Sequence, residues 1–234
     1  MYDVEISEPK QIDTKTKDLK VKGLDMSLTN FFVDDEGNSP MYDRNYRLFE
    51  NKLQNLQRML SSETKKYKKK QLRKRLARVH EHIANKRHDF IEKLSHKLVN
   101  ENDAIIVETL SLKDIAKFRT WEERKESKDK SNYGKSVHDL GWGMFLNRLK
   151  TKAEENGKII LEADKWFASS KTCNHCGYIN KELTIEDREW ICPICNNSIQ
   201  RDMNAAMNLK DLGLKFLAEG SSVNADESRN GNHL

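Results

Sequence analysis

Cys173-Asn174-His175-Cys176 and Cys192-Pro193-Ile194-Cys195 contain every cysteine of this 234-residue chain. Five residues after the second pair begins Gln200-Arg201-Asp202-Met203-Asn204-Ala205-Ala206-Met207-Asn208-Leu209. A Cys-x-x-Cys turn places two thiolates on one small ion, and two such turns complete a tetrahedron around zinc. The fifteen residues between the pairs suffice for a short hairpin that returns the second turn to the first. Gly177 follows the first pair and Asn196 the second, residue types that tolerate the left-handed backbone such knuckles need. A redox pair or two disulfides are the competing readings. With no secretory signal and no spare cysteine, zinc is favoured over both. Four thiolates leave no open coordination position, so Cys173, Cys176, Cys192 and Cys195 are read as ligands of a structural Zn²⁺. The ribbon is then a scaffold, and the chemistry must lie elsewhere.

Working outward, the chain is long enough to bury a substantial core. Charged residues make up 34% of it and the net charge is +5, a weak pointer to nucleic acid taken alone. Its distribution says more. Between Lys65 and Arg87 there are eleven Lys or Arg residues against one acid, Glu81. Apolar runs such as Ala104-Ile105-Ile106-Val107 are too short to cross a bilayer, so no membrane partner is expected. Met1 leads into polar sequence without an apolar signal core, which suggests a cytoplasmic location.

Residues 20–33 suggest two successive strands, and Asp34-Asp35-Glu36-Gly37-Asn38 supplies a turn after them. From about Asp43 to Asn100 the period becomes helical. Phe49, Leu53, Leu56 and Leu60 recur at helical spacing, and Leu72, Leu76, Val79 and Ile83 begin a second such series. A break near Ser61-Ser62-Glu63 makes two antiparallel helices, the second long and basic. Ala104 to Leu110 reads as a buried strand, 119–135 as a mobile loop, and Val137 to Asn156 as a helix stopped by Gly157. Lys158 to Lys165 reads as another strand. No internal repeat is visible. The result is a mixed α/β core over 1–167 carrying a basic helical hairpin at about 43–100. A ribbon at 168–198, a last helix within 199–217 and a disordered tail at 218–234 follow.

Three carboxylates stand out by position. Asp25 sits in the first of the paired strands, Glu108 ends a strand expected to be central, and Asp202 opens the last helix. A carboxylate in an apolar strand is costly unless it is paired or binds a cation. Three that converge would hold Mg²⁺ or Mn²⁺, and two such ions cleave phosphodiesters by activating water and stabilising the leaving oxygen. Each could equally be an ordinary surface or capping acid among the 37 acids of the chain, and pattern alone does not decide. The basic helix could be a solvated face, but its charge density favours a nucleic-acid backbone as partner. Lys65, Lys66, Lys69, Arg73, Lys74 and Arg78 are its candidate contacts. Trp142, Trp166 and Trp190 are read as core, and His80, His82 and His88 as helix surface. No histidine is assigned a catalytic role.

Gly23-Leu24-Asp25, Ile106-Val107-Glu108, Ser169-Ser170-Lys171-Thr172-Cys173-Asn174-His175-Cys176-Gly177, Cys192-Pro193-Ile194-Cys195 and Arg201-Asp202-Met203-Asn204-Ala205-Ala206 occur in the order found in the TnpB/OrfB family. The chain resembles that family over about residues 1–217. Its members are transposon-encoded, RNA-guided DNA nucleases related to the type V CRISPR effectors. The resemblance implies an RNase H-like (RuvC-like) fold with an inserted helical hairpin and an inserted four-cysteine zinc ribbon. It implies Asp25, Glu108 and Asp202 as catalytic acids binding Mg²⁺ or Mn²⁺, and DNA and a guide RNA as partners, with the basic helix near the guide–target hybrid. Gln200, Thr109 and Ser27 depart from common family residues, but none removes a catalytic acid.

Family members usually carry a further N-terminal part that binds the guide, of which Met1 to Ser7 resembles only the tail. The chain is therefore expected to be the nuclease half of a longer protein. Two functions follow. One is a divalent-metal DNA endonuclease of the RNA-guided type; the other is a binding or regulatory fragment that grips nucleic acid without productive cleavage. A DDE-type transposase is disfavoured, and the sequence is silent on oligomeric state.

Overall fold

The computed structural model describes residues 4–6, 19–42, 45–109, 140–164, 166–184 and 186–219. The loop expected at 119–135, the start of the helix expected at Val137 and the tail beyond Glu219 lie outside these residues. The chain forms two compact units: residues 1–40, 95–111 and 149–234 make one, and 41–94 with 112–148 the other.

The first unit is built on a five-stranded sheet. Its strands are β1 (Val4–Ile6), β2 (Val21–Ser27), β3 (Phe31–Asp34), β4 (Ala104–Glu108) and β5 (Ile159–Ala163). They lie in the order β1-β5-β4-β2-β3. β2, β4 and β5 run parallel, while β1 is antiparallel to β5 and β3 to β2. Parallel neighbours need crossovers, which is why long helical segments separate β2 from β4 and β4 from β5. Central parallel strands are buried on both faces and read as continuous apolar runs. Ala104-Ile105-Ile106-Val107 is such a run, and all four residues are buried. Ile106, Leu161 and Val21 pack with Leu209 and Leu217 of the last helix to form the core of this unit.

The other unit contains α1 (Asn45–Ser62) and most of α2 (Lys66–Glu101). The two series of apolar residues meet each other: Leu53 and Leu56 pack on Leu72, Val79 and Ile83, with Phe49, Leu60 and Leu76 at the margin. This is the stripe that 3.6-residue periodicity demands, and it leaves the basic positions outward. The next helix, α3, spans Trp142–Glu155 and stops before Gly157, which has a φ of 64°. No helix among the described residues is long and apolar enough to cross a membrane.

The ribbon and the helix after it complete the first unit. β6 (Glu189–Ile191) and β7 (Ser198–Gln200) form an antiparallel hairpin, and β7 leads without a linker into α4 (Arg201–Glu219). The ribbon has a small core of its own in Leu183, Trp190 and Ile199 with Cys173 and Cys192. Trp142 and Trp190 are buried as the sequence suggests, but Trp166 is 75% exposed. It sits in the turn after β5, where Asp164 Oδ1 accepts the Trp166 backbone N–H at 2.6 Å, and the turn leaves the indole outside the sheet.

Candidate active site and metal-binding ribbon

The four cysteine sulfurs lie within 4.8 Å of one another. Cys173 Sγ is 3.7 Å from Cys195 Sγ, and Cys176 Sγ is 3.5 Å from Cys192 Sγ. These separations are far beyond a disulfide bond. They approach the roughly 3.8 Å edge of a tetrahedron whose centre is about 2.3 Å from each sulfur, the length of a zinc–thiolate bond. Gly177 and Asn196 take positive φ, 77° and 56°, directly after their pairs. Their backbone N–H groups close the two knuckles by donating to Cys173 O and Cys192 O, at 2.8 and 2.9 Å. Burial works against ionisation of Cys192, but N–H groups of Cys195 and Ile194 and the neighbouring thiols outweigh it and bring the thiol to about 7. The four cysteines fit a structural zinc site.

The acids come together differently. Leu24 pairs with Val107 in the parallel register, so Asp25 and Glu108 are the next residues of adjacent strands. Asp202 lies in the first turn of α4, which packs across β2 and β4. Burial holds the Asp25 carboxyl well above the usual carboxylate range, and the negative charges of Glu108 and then Asp202 push it the same way. Arg201 and Arg188 oppose that shift in part. Glu108 is also raised, by burial. Asp25, whose ionisation both neighbouring acids oppose, forms with them the kind of donor set a hard divalent cation relieves.

Their placement is looser than that of the sulfurs. Among the described residues, only the cysteines bring three or more ligand atoms within 4.8 Å of one another. Asp202, 7% exposed, is also engaged by two guanidinium groups. Arg188 donates to its Oδ2 at 3.1 Å, and Arg201 Nε donates to its Oδ1 at 3.2 Å. Arg188 comes from the ribbon, just before β6.

One glycine and two alanines set the distance between helix and sheet. A Cβ at Gly23 would lie 2.0 Å from Ala206 O, so only glycine lets α4 lie directly on β2. Ala205 and Ala206 are fully buried at the same contact. Gln200 accepts the backbone N–H of Met203 and so caps α4. Asp35 accepts from Lys210 Nζ at 2.6 Å and from the Gly23 N–H at 3.2 Å, which ties β2, the turn after β3 and α4 together.

Some of these residues escape sequence reasoning. Asp34, Asp35 and Glu36 read only as a turn, and Arg188 as one charge among many. Asn204 and Asn208 carried a usable signal: asparagine is a poor helix-interior residue, so two of them four apart on one face require partners. The six basic candidates lie on α2 and the residue before it; all are exposed except Lys69, which is half-buried. A groove between α1 and α2 adds Lys52 and Arg75 to Arg78, beside Leu56, Met59 and Val79.

The described residues form a mixed α/β fold with a four-cysteine cluster, and the fold resembles that of Cas12f1. A chain of the cryo-EM Cas12f1–sgRNA–target DNA complex superposes with a TM-score of 0.53 at 19% identity, covering 89% of this chain and 55% of that one. The sequence profile of OrfB_IS605, described as "Probable transposase", matches residues 1–119. That of the Cas12f1-like TNB domain matches 142–209. The chain belongs to the TnpB/OrfB family. It is 30% identical over 202 residues to a Streptomyces pristinaespiralis protein named "Putative RNA-guided DNA endonuclease", covering 86% of this chain and 47% of that protein. It is 28% identical over 176 residues to the Escherichia coli (strain K12) "Putative RNA-guided DNA endonuclease InsQ", covering 74% of this chain and 44% of that one. The chain thus spans about half the length of these relatives.

Proposed function

We propose that this chain carries the nuclease centre of a divalent-metal-dependent, RNA-guided DNA endonuclease, with Asp25, Glu108 and Asp202 as its metal-binding acids. The observation that carries the reading is placement: the β2–β4 register makes Asp25 and Glu108 neighbours on adjacent strands, and α4, packed across both strands, brings Asp202 close enough for its charge to act on Asp25. The order and direction of β2 to β5 agree with an RNase H-like sheet, in which such acids sit at the carboxyl ends of central strands. The relatives' names support RNA-guided action on DNA.

Bound Mg²⁺ or Mn²⁺ would activate a water and stabilise the leaving oxygen of a phosphodiester. The chain's own residues hold the acids: β2 and β4 fix Asp25 and Glu108 through backbone pairing, and the Gly23–Ala206 contact keeps α4 close enough to present Asp202. Lys65, Lys66, Lys69, Arg73, Lys74 and Arg78 would bind the nucleic-acid backbone, and a zinc ion at the four cysteines would hold the ribbon. Neutral replacements test the centre. Asp25→Ala, Glu108→Ala and Asp202→Ala should each reduce Mn²⁺-dependent cleavage of labelled DNA, with guide RNA supplied, by at least about a hundredfold. Wild-type cleavage by the Asp202→Ala protein would overturn the assignment.

The engagement of Asp202 by Arg188 and Arg201 favours a second reading, in which the chain binds nucleic acid without cutting it. Titration of the wild-type protein with Mn²⁺, followed by electron paramagnetic resonance, separates the two. The nuclease reading requires a site that the Asp25→Asn variant loses.

A further inference from the structure

Among the described residues, the ribbon core of Leu183, Trp190 and Ile199 is separate from the sheet core that holds Leu209 and Leu217. Apolar packing therefore does little to join the ribbon to α4 near the acids. The join is polar and centred on asparagine. Asn204 Oδ1 accepts the Asn174 backbone N–H at 2.9 Å, and Asn204 Nδ2 donates to Thr172 O at 2.7 Å. One turn further along α4, Asn208 Nδ2 donates to Ser169 O and to Thr172 O, both at 2.7 Å. Asn174 Nδ2 returns bonds to Asn208 Oδ1 at 3.1 Å and to Asp211 Oδ2 at 2.6 Å. Asn204 and Asn208 are 5% and 7% exposed, so these bonds have little water to replace them. These ribbon partners, Ser169, Thr172 and Asn174, lie within the first cysteine turn or in the four residues before it.

From this network we infer that Asn204 and Asn208 are positioning residues that couple the cysteine site to the acid site. They clamp the first cysteine turn onto α4, so the order of the helix turn that bears Asp202 depends on the ribbon's metal. The inference rests on the reading of Asp202 as a metal ligand given above.

Three-residue strands and a handful of apolar side chains cannot hold a hairpin this small without an added constraint, so the ribbon folds when its cation binds. Asp202 is bracketed by what the cation orders. On one side β7 runs straight into α4, and Arg188 O accepts the Arg201 backbone N–H at 2.9 Å. On the other side, the asparagine clamp holds the helix two and six residues beyond Asp202. Release of the cation removes both supports, and an unsupported first helical turn frays. Coupling of this kind is reciprocal: an ion in the ribbon raises divalent-ion affinity at the acids by the factor that the acids' ion raises affinity in the ribbon.

The test uses the full chain and two independent measurements. In hydrogen exchange, the zinc-loaded protein should protect the peptide covering Arg201 to Asn208, and chelation of the zinc should lower that protection at least about tenfold, with little change over Gly213 to Leu217. In Mn²⁺ titrations of zinc-loaded protein, Asn208→Ala and the near-isosteric Asn208→Asp should weaken binding about tenfold, within the usual range for site–site coupling. Both should also release zinc faster. Asp25→Asn should weaken Mn²⁺ binding and, with no Mn²⁺ present, leave zinc release at the wild-type rate.

Wild-type Mn²⁺ affinity in both Asn208 variants, with unchanged exchange, would overturn the coupling and leave the asparagines as structural glue. Failure of the wild type to bind Mn²⁺ would instead overturn the reading of the acids. Exchange alone then decides the clamp, and protection that survives chelation sinks it. Should Asn208→Ala fail to fold, exchange in the chelated wild type decides in the same way.

Discussion

A methyl group at position 23 has no room, because it would meet Ala206 O at 2.0 Å and Lys210 N at 2.9 Å, both backbone atoms of a helix that cannot step aside. Gly23→Ala should therefore cost about 3 kcal/mol, the upper part of the range for overpacking, read as a lower urea midpoint at unchanged slope. It should also weaken Mn²⁺ binding by moving Asp202 away from Asp25. Asp25 itself makes a pH prediction. Burial, then Glu108 and Asp202, raise its carboxyl above the ordinary range, and burial raises Glu108. The folded chain then holds these protons more tightly than the unfolded chain. Their contribution is fully present below the ordinary carboxylate pKa, and stability falls as pH rises from there through the raised folded values. In chelator, Asp25→Asn should flatten that fall and raise the melting midpoint at neutral pH by several degrees. A midpoint equal to or below wild type, measured by calorimetry at several pH values, would contradict it.

At the scale of elements, α2 does two jobs with two faces. Leu72, Val79 and Ile83 bury against α1, and the same spacing leaves Lys66, Arg73, Lys74 and Arg78 exposed, with Lys65 just ahead of the helix. Glu81 is the single acid between Lys65 and Arg87, so little on the helix itself compensates the cations. Like charges this dense favour an anionic partner over solvent. Changing Lys69, Arg73 and Arg78 together to Gln should weaken binding to unrelated duplexes alike. It should also flatten the salt dependence by about 0.9 for each phosphate no longer neutralised, or about 3 in all. An unchanged slope in filter-binding titrations would mark the face as merely solvated. The ribbon hairpin is the opposite case, an element too small for its own core. Cys192→Ser should eliminate bound zinc by elemental analysis and expose residues around 168–198 to protease, since metal binding and folding are one event there.

Across the whole molecule, stability is divided. One unit carries the sheet, the ribbon and α4, and the other has its own apolar contacts between α1 and α2. Units with separate cores open separately. Chelation should therefore raise exchange in the ribbon and the start of α4 but leave amides between Leu53 and Ile83 protected as before. Uniform loss of protection over both units would show a single cooperative block instead.

What was legible in the sequence was what local spacing encodes. Leu72, Leu76, Val79 and Ile83 mark a helix face, Ala104 to Val107 a doubly buried strand, and the two Cys-x-x-Cys turns a metal knuckle, because burial and coordination repeat along the chain at fixed intervals. The order of motifs also carried the family resemblance. Only the tertiary structure decided the partners. That Asp35 would pair with Lys210, 175 residues away, is invisible in a run of three acids that reads as a turn. That Trp166 would stand outside while Trp142 is 2% exposed depends on where β5 ends, not on the residue type. Arg188 meets Asp202, and Asn204 and Asn208 meet the first cysteine turn, because β7 enters α4 without a linker and folds the ribbon back over the helix start. Propensity and periodicity describe what each segment can bury. Which polar group meets which is set by topology, and the pairing of ribbon with acid site is a property of the assembled fold.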